Sequence, residues 1–105
     1  MRPNYKQPFA AFVKKQRKAL QLAIEDAVED VCAHPYAGEP KVGDLQGIRV
    51  YKFTHHRQQY LIAYRLPGMR EIEGGGGDPA LLTIDFYQVG AHENFYAMLK
   101  QYLKS

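Results

Sequence analysis

The sequence has few of the features that mark secreted, membrane-spanning or disulfide-linked proteins. It contains a single cysteine, Cys32, in 105 residues, so no disulfide can form within the chain. No apolar run approaches the roughly 20 residues that cross a bilayer, and residues 1–8 lack the apolar segment of a signal peptide. We therefore expect a soluble protein of the reducing cytoplasm, in which Cys32 is a buried and unreactive thiol.

The sequence also lacks the residue spacings that bind metals or nucleotides. It has no CxxC or HxxxH pair, and the adjacent His55 and His56 should point to opposite sides of an extended chain. The glycines at positions 74–77 are not followed by the Lys-Ser/Thr of a phosphate-binding loop. We interpret residues 67–79 as a mobile hairpin tip and expect neither a metal nor a cofactor.

Charge is distributed in blocks, although the net charge is only +3. Residues 1–20 carry six Lys/Arg and no acid, residues 21–44 carry six Asp/Glu and one Lys, and residues 45–70 carry five Lys/Arg and no acid. We interpret the first two blocks as solvated faces or as helices that pair with each other. The third block falls on predicted strands, where a basic stripe suits the binding of phosphate groups.

The spacing of apolar residues predicts an α+β fold in one domain that spans residues 1–105. Residues 9–33 have helical periodicity and form either one helix or a helical hairpin. Runs of β-branched and aromatic residues at 48–54, 59–66 and 81–89 predict an antiparallel meander of three or four strands. An apolar stripe then predicts a C-terminal helix packed on the sheet; its members are Phe95, Met98, Leu99, Tyr102 and Leu103.

Candidate catalytic residues collect where the last strand meets the last helix. His92 stands at or near the first turn of that helix, and a helix N-terminus favours the neutral imidazole, which can accept a proton. Tyr96 lies one turn later and can face the same patch. Lys52 and Arg65 on the strands can stabilise phosphate charge, so the set suits attack of an RNA 2′-hydroxyl on its own phosphate. The alternative is a histidine that only hydrogen-bonds the turn.

The first predicted hairpin carries a second set of candidates, for binding a nucleic-acid backbone. Arg49 belongs to the basic block on the strands, and His55, His56 and Arg57 lie in or beside the turn that joins them. The eight tyrosines can stack on unpaired bases, although tyrosine is also a common strand residue. Arg49, His55, His56 and Arg57 are therefore our candidate nucleic-acid contacts.

Three stretches, read together, resemble the RelE/ParE superfamily of bacterial toxins from type II toxin–antitoxin modules. Residues 42–47 (VGDLQG) resemble its loop before the sheet. Residues 50–53 (VYKF) and 59–65 (QYLIAYR) resemble its central hairpin, and residues 89–96 (VGAHENFY) resemble its junction between the last strand and the last helix. The order of the elements matches over residues 9–104.

The resemblance implies a cytoplasmic toxin that inhibits growth and is neutralised by a cognate antitoxin. Two activities occur in the superfamily: RelE-like members cut mRNA in the ribosomal A site, and ParE-like members poison DNA gyrase. By the resemblance, Lys52, His92 and Tyr96 match catalytic-type positions of the RelE pattern. The sequence departs from that pattern at Thr54 and Leu61, where basic residues are usual, and the usual N-terminal strand is missing or reduced to a few polar residues.

Three functions follow as hypotheses. The first is a metal-independent, ribosome-dependent mRNA endonuclease, favoured by Lys52 and His92. The second is a ParE-like inhibitor of DNA gyrase, and the third is an inactive toxin-like domain that only binds its antitoxin. Thr54 and Leu61 favour the second and third hypotheses. Ribosome and mRNA are the partners in the first case and gyrase in the second, with the antitoxin a partner in all three.

Overall fold

The computed structural model describes residues 1–68 and 82–104. The elements follow in the order β1 (Arg2–Tyr5), α1 (Gln7–Lys14), α2 (Lys18–Ala33), β2 (Glu39–Pro40), a 3-10 turn (Gly43–Leu45), β3 (Arg49–His55), β4 (Gln58–Arg65), β5 (Thr83–Ala91) and α3 (Phe95–Lys104). This confirms the predicted α+β class with a C-terminal helix. Residues 69–79 of the predicted hairpin tip lie outside the described residues. No helix in the described ranges is long and apolar enough to cross a membrane.

Within the described residues, the sheet has five strands in the order β1-β5-β4-β3-β2 and is mixed. The neighbours from β2 to β5 are antiparallel and form the predicted meander, whereas β1 runs parallel to β5. The four antiparallel strands agree with the predicted three or four, whereas β1 was not predicted, because its four residues carry no apolar alternation. All four residues of β1 are exposed, and the strand is recognisable by its hydrogen bonds to β5 rather than by its side chains.

The N-terminal helical segment is a hairpin of two helices, which resolves the alternative left open by the sequence. The break falls at residues 15–17 and contains neither glycine nor proline. The carbonyls of Phe12 and Val13 accept backbone N–H bonds from Lys15 at 3.2 Å and Gln16 at 3.1 Å. Side-chain amides add to these bonds, since Gln16 Nε2 donates to the carbonyl of Phe12 at 3.0 Å and Gln21 Nε2 donates to that of Val13 at 2.8 Å. Arg17 then takes an extended conformation and precedes α2.

The two faces of the sheet carry separate hydrophobic clusters. The face covered by α1 and α2 holds the larger cluster: Phe9, Leu20, Ile24, Ala27, Val28, Val31, Ile62, Tyr64, Ile84, Phe86 and Val89. On the opposite face, called here the α3 face, Phe95 and Leu99 of α3 pack on Val50, Leu61 and Ala63 of the strands. Side chains alternate between the faces along β3 and β4, so the register of these strands also determines which polar side chains lie on the α3 face.

Cys32 is half-buried rather than buried. Burial is the largest influence on its thiol and raises its pKa; the nearby Glu29 acts in the same direction, and the chain N-terminus opposes it. A raised pKa leaves less of the nucleophilic thiolate near neutral pH, which agrees with the expected low reactivity.

Candidate functional site

Lys52 lies on the α3 face, in the middle of β3. The register places it beside Leu61 of β4, and Leu61 beside Gly90 of β5. Adjacent strands are about 4.8 Å apart, so Lys52 and Gly90 are separated by about 10 Å. Lys52 is exposed, whereas Leu61 between them is fully buried under α3. An open basic patch therefore begins where the cover provided by α3 ends.

His92 and Tyr96 border this patch from the junction of β5 and α3. His92 is exposed in the turn before the helix, and its carbonyl accepts a hydrogen bond from the backbone N–H of Phe95 at 3.3 Å. Asn94 has a φ of 63°, which turns the chain sharply into α3. The rings of His92 and Tyr96 meet edge to face with centroids 6.0 Å apart. The two residues share one patch, as the sequence predicted.

Lys41 adds a cation to Tyr96 that the sequence analysis did not predict. Its backbone N–H bonds to the carbonyl of Ile48, and its Nζ lies 5.5 Å from the centre of the Tyr96 ring and 3.2 Å from Oε1 of Glu39. Burial lowers the pKa of Lys41, but its interactions with the Glu39 carboxylate and the Tyr96 hydroxyl outweigh burial and raise it overall. Lys41 therefore carries its positive charge beside Tyr96.

The loop that delivers Lys41 is anchored to the sheet through a buried tyrosine. The Tyr64 hydroxyl donates to the carbonyl of Pro35 at 2.7 Å and accepts from the backbone N–H of Gly38 at 2.9 Å. A Cβ at Gly38 would lie 2.6 Å from that hydroxyl, so glycine is required for the close approach. Arg49 Nε donates to the carbonyl of Gly38 and Nη2 to that of Tyr36. These contacts fix the start of β2, and Lys41 follows directly.

Arg49 and Arg65 do not join the patch. Arg49 pairs with Tyr64 in the register, on the face opposite Lys52, and its guanidinium bonds to the loop carbonyls already described. Arg65 is on the α3 face, but four residues along β4 from Leu61, or roughly 13 Å. Its guanidinium lies over the ring of Tyr87 at 5.9 Å. The sequence could not show this separation, because it depends on the register of the strands.

The candidates at the β3–β4 turn lie at the tip of the hairpin. His56 and Arg57 have φ angles of 50° and 65° and form a two-residue turn closed by the pair His55 and Gln58. His56 and Arg57 are exposed. The rings of His55 and His56 are 4.1 Å apart, so the expectation that they point to opposite sides was wrong, because the chain already turns at His56. Across residues 1–68 and 82–104, no three His, Cys, Asp or Glu side chains are grouped to hold a metal ion.

The decisive comparison is with models of protein families. The family described as "ParE-like toxin of type II bacterial toxin-antitoxin system" matches residues 4–100, from within β1 into α3. The chain belongs to this family. The predicted resemblance to the RelE/ParE superfamily is thereby confirmed, and membership of a type II system implies an antitoxin as partner. No curated protein matches the chain.

The two departures of this toxin from the RelE pattern now have structural descriptions. Thr54 lies on the α3 face two residues beyond Lys52 and is exposed, so the cation usual there is simply absent. Leu61 has no exposed surface and belongs to the cluster formed with Phe95 and Leu99. The Tyr96 ring lies close to both His92 and the Lys41 ammonium, whereas Lys52 is exposed on the α3 face with Leu61 between it and Gly90.

Proposed function

We propose that this toxin blocks translation by cutting mRNA on the ribosome, in the cytoplasm, without a metal ion. The observation that carries the proposal is the grouping of His92 and the Lys41 ammonium around the Tyr96 ring, with Lys52 exposed on the same face of the sheet. A proton-accepting imidazole, a proton-donating phenol and nearby cations are groups that can serve RNA cleavage by its own 2′-hydroxyl. The toxin role itself follows from the family.

In the proposed reaction His92 accepts the proton of the 2′-hydroxyl, and the oxygen attacks the adjacent phosphorus. The bond from phosphorus to the 5′-oxygen breaks as Tyr96 gives its proton to that oxygen, and water exchange restores both side chains. Lys52 stabilises the charge on the non-bridging oxygens. The products are a 2′,3′-cyclic phosphate and a 5′-hydroxyl end. Imidazole suits the first role because it exchanges protons near neutral pH.

The hairpin tip supplies backbone contacts in this proposal. His56 and Arg57 are exposed in the turn that follows β3, the strand of Lys52, and an arginine can bind phosphate through two parallel hydrogen bonds. Arg49 and Arg65 are not included, since Arg49 is engaged with loop carbonyls and Arg65 lies at the far end of the α3 face. Contacts of this kind position the RNA and carry no sequence preference.

Cleavage of defined mRNA on purified ribosomes tests the proposal. We expect cleavage in the ribosomal A site, with a cyclic phosphate on the upstream fragment. An mRNA that carries a single 2′-deoxynucleotide on the 5′ side of the mapped cleavage site should resist cleavage there, because the attacking hydroxyl is missing. The same mRNA deoxy-substituted three nucleotides away is the control and should be cut normally. Cleavage at the deoxy-substituted position would contradict the proposed chemistry.

Inhibition of DNA gyrase is the second candidate. The family description favours it because it names ParE, and the absence of cations at Thr54 and Leu61 is compatible with a site that does not cut RNA. This candidate requires binding to gyrase and no proton transfer by His92. A gyrase supercoiling assay with the purified toxin separates the two: the nuclease proposal expects unchanged supercoiling.

A further inference from the structure

We infer that Lys41 is a positioning residue of this site: its ammonium group orients the Tyr96 hydroxyl and stabilises the negative charge that develops on it during cleavage. The inference rests on the proposed nuclease function and concerns a residue outside the stretches that resemble the superfamily. Lys41 comes from the segment between α2 and β3, whereas Tyr96 comes from α3.

The position of Lys41 follows from the backbone rather than from a mobile side chain alone. Its N–H is hydrogen-bonded to the carbonyl of Ile48 at 2.9 Å, which continues the pairing of β2 with β3. Glu39 faces Val50, a buried residue of the α3 face, so the side chain of Lys41, two residues later, points to the same face. Its ammonium group reaches the Tyr96 ring from that position.

The chemistry of the two groups determines how they interact. An ammonium group has three donors and no acceptor, so towards a phenol oxygen it can only donate. When the ammonium donates to that oxygen, the hydroxyl hydrogen of Tyr96 is directed away from Lys41 and is available to a substrate oxygen. When that proton is transferred, the phenolate is left beside a cation instead of in water alone, and a hydrogen bond to a charged group is stronger than one between neutral groups.

The ion pair with Glu39 does not by itself explain Lys41. The Glu39 side chain is 64% exposed and that of Lys41 is 21% exposed, so water screens the pair. Exposed pairs of this kind contribute little to stability. Glu39 nevertheless provides the necessary control, because Glu39→Gln removes the ion pair while the Lys41 ammonium stays beside Tyr96.

The cleavage rates of four variants, measured with ribosome–mRNA complexes at saturating concentration, test the inference. Lys41→Met, which keeps the length of the side chain and removes its charge, should slow cleavage about 10- to 100-fold, the range expected for losing a hydrogen bond to a charged group. The concentration for half-maximal rate should change little, because Lys41 acts on Tyr96 rather than on binding. Lys41→Arg should restore most of the rate. Glu39→Gln and Lys100→Ala, an exposed change on α3, should retain the wild-type rate.

A double variant shows whether Lys41 acts through the hydroxyl. In a Tyr96→Phe background, Lys41→Met should cause little further loss, because coupled residues are not additive. Three results would overturn the inference while leaving the nuclease proposal intact. The first is a double variant whose loss of rate is the product of the two single losses, and the second is a wild-type rate in Lys41→Met. The third is a loss of rate in Glu39→Gln as large as that in Lys41→Met. Absence of cleavage by the wild-type toxin would overturn both. Thermal unfolding of each variant, expected at the wild-type temperature, verifies that the fold is retained.

Discussion

Cells that express the His92→Ala variant should keep growing, whereas the wild-type toxin arrests them. His92 is the one imidazole at the patch, and removal of a general base typically lowers a rate about 100- to 10,000-fold. The side chain is exposed in the turn before α3, and the hydrogen bond that its residue makes to Phe95 uses the backbone carbonyl, which alanine retains. The fold should therefore persist. Growth curves after induction, with the toxin level checked by immunoblot, measure the effect.

His34→Ala is the matched control for this prediction. His34 is also exposed, but it follows α2, and only its backbone takes part in the hydrogen bonds of that turn. The His34→Ala toxin should arrest growth like the wild type. If His92→Ala arrests growth as strongly as the wild type at equal expression, His92 transfers no essential proton and the proposed mechanism fails.

The Leu61→Arg variant should be severely destabilised, although it restores a basic residue usual in the RelE pattern. Leu61 has no exposed surface and packs with Phe95 and Leu99 beneath α3. An arginine there either buries an unpaired charge or displaces the helix, and leaving a buried charge unpaired costs about 3–5 kcal/mol. Small domains are stable by only about 5–15 kcal/mol, so much of the stability would be lost. Urea unfolding followed by circular dichroism measures the free energy of unfolding of the variant and of the wild type.

Thr54→Lys is the corresponding control on the same face. Thr54 is exposed, so a lysine there should change the free energy of unfolding by no more than about 0.5 kcal/mol. Under the nuclease proposal it should also increase the rate of cleavage, since it adds a cation two residues from Lys52. If Leu61→Arg unfolds at the same urea concentration as the wild type, α3 does not cover Leu61, and the basic patch extends further across the sheet than described here.

The elements with strong local patterns could be predicted from the sequence. The apolar stripe from Phe95 to Leu103 predicted α3, and β3 and β4 end within one residue of their predicted ends. The strand β1 could not be predicted, because its residues are all exposed and it pairs with residues 81 positions away in the sequence. The break between α1 and α2 could not be predicted from the sequence either, because two glutamine amides stabilise it and it contains neither glycine nor proline.

Which candidate residues lie close together could be predicted where it depended on neighbours in sequence, but not where it depended on the register of the strands. His92 and Tyr96 are four residues apart at the start of a helix, so their contact followed from local geometry. Arg65 was grouped with them only because it is basic, and the register places it at the other end of the α3 face. Lys41 reaches Tyr96 through the pairing of β2 with β3, for which two exposed residues give no sequence pattern.

Pulse labelling of protein and DNA synthesis in the first minutes after induction tests the central claim most directly. The claim is that this ParE-like toxin acts on mRNA in the ribosome through the patch around His92. We predict that incorporation of labelled amino acids falls at once while incorporation of labelled thymidine continues, and that the His92→Ala variant changes neither. An immediate fall in DNA synthesis with translation still intact would contradict the claim and would support inhibition of gyrase.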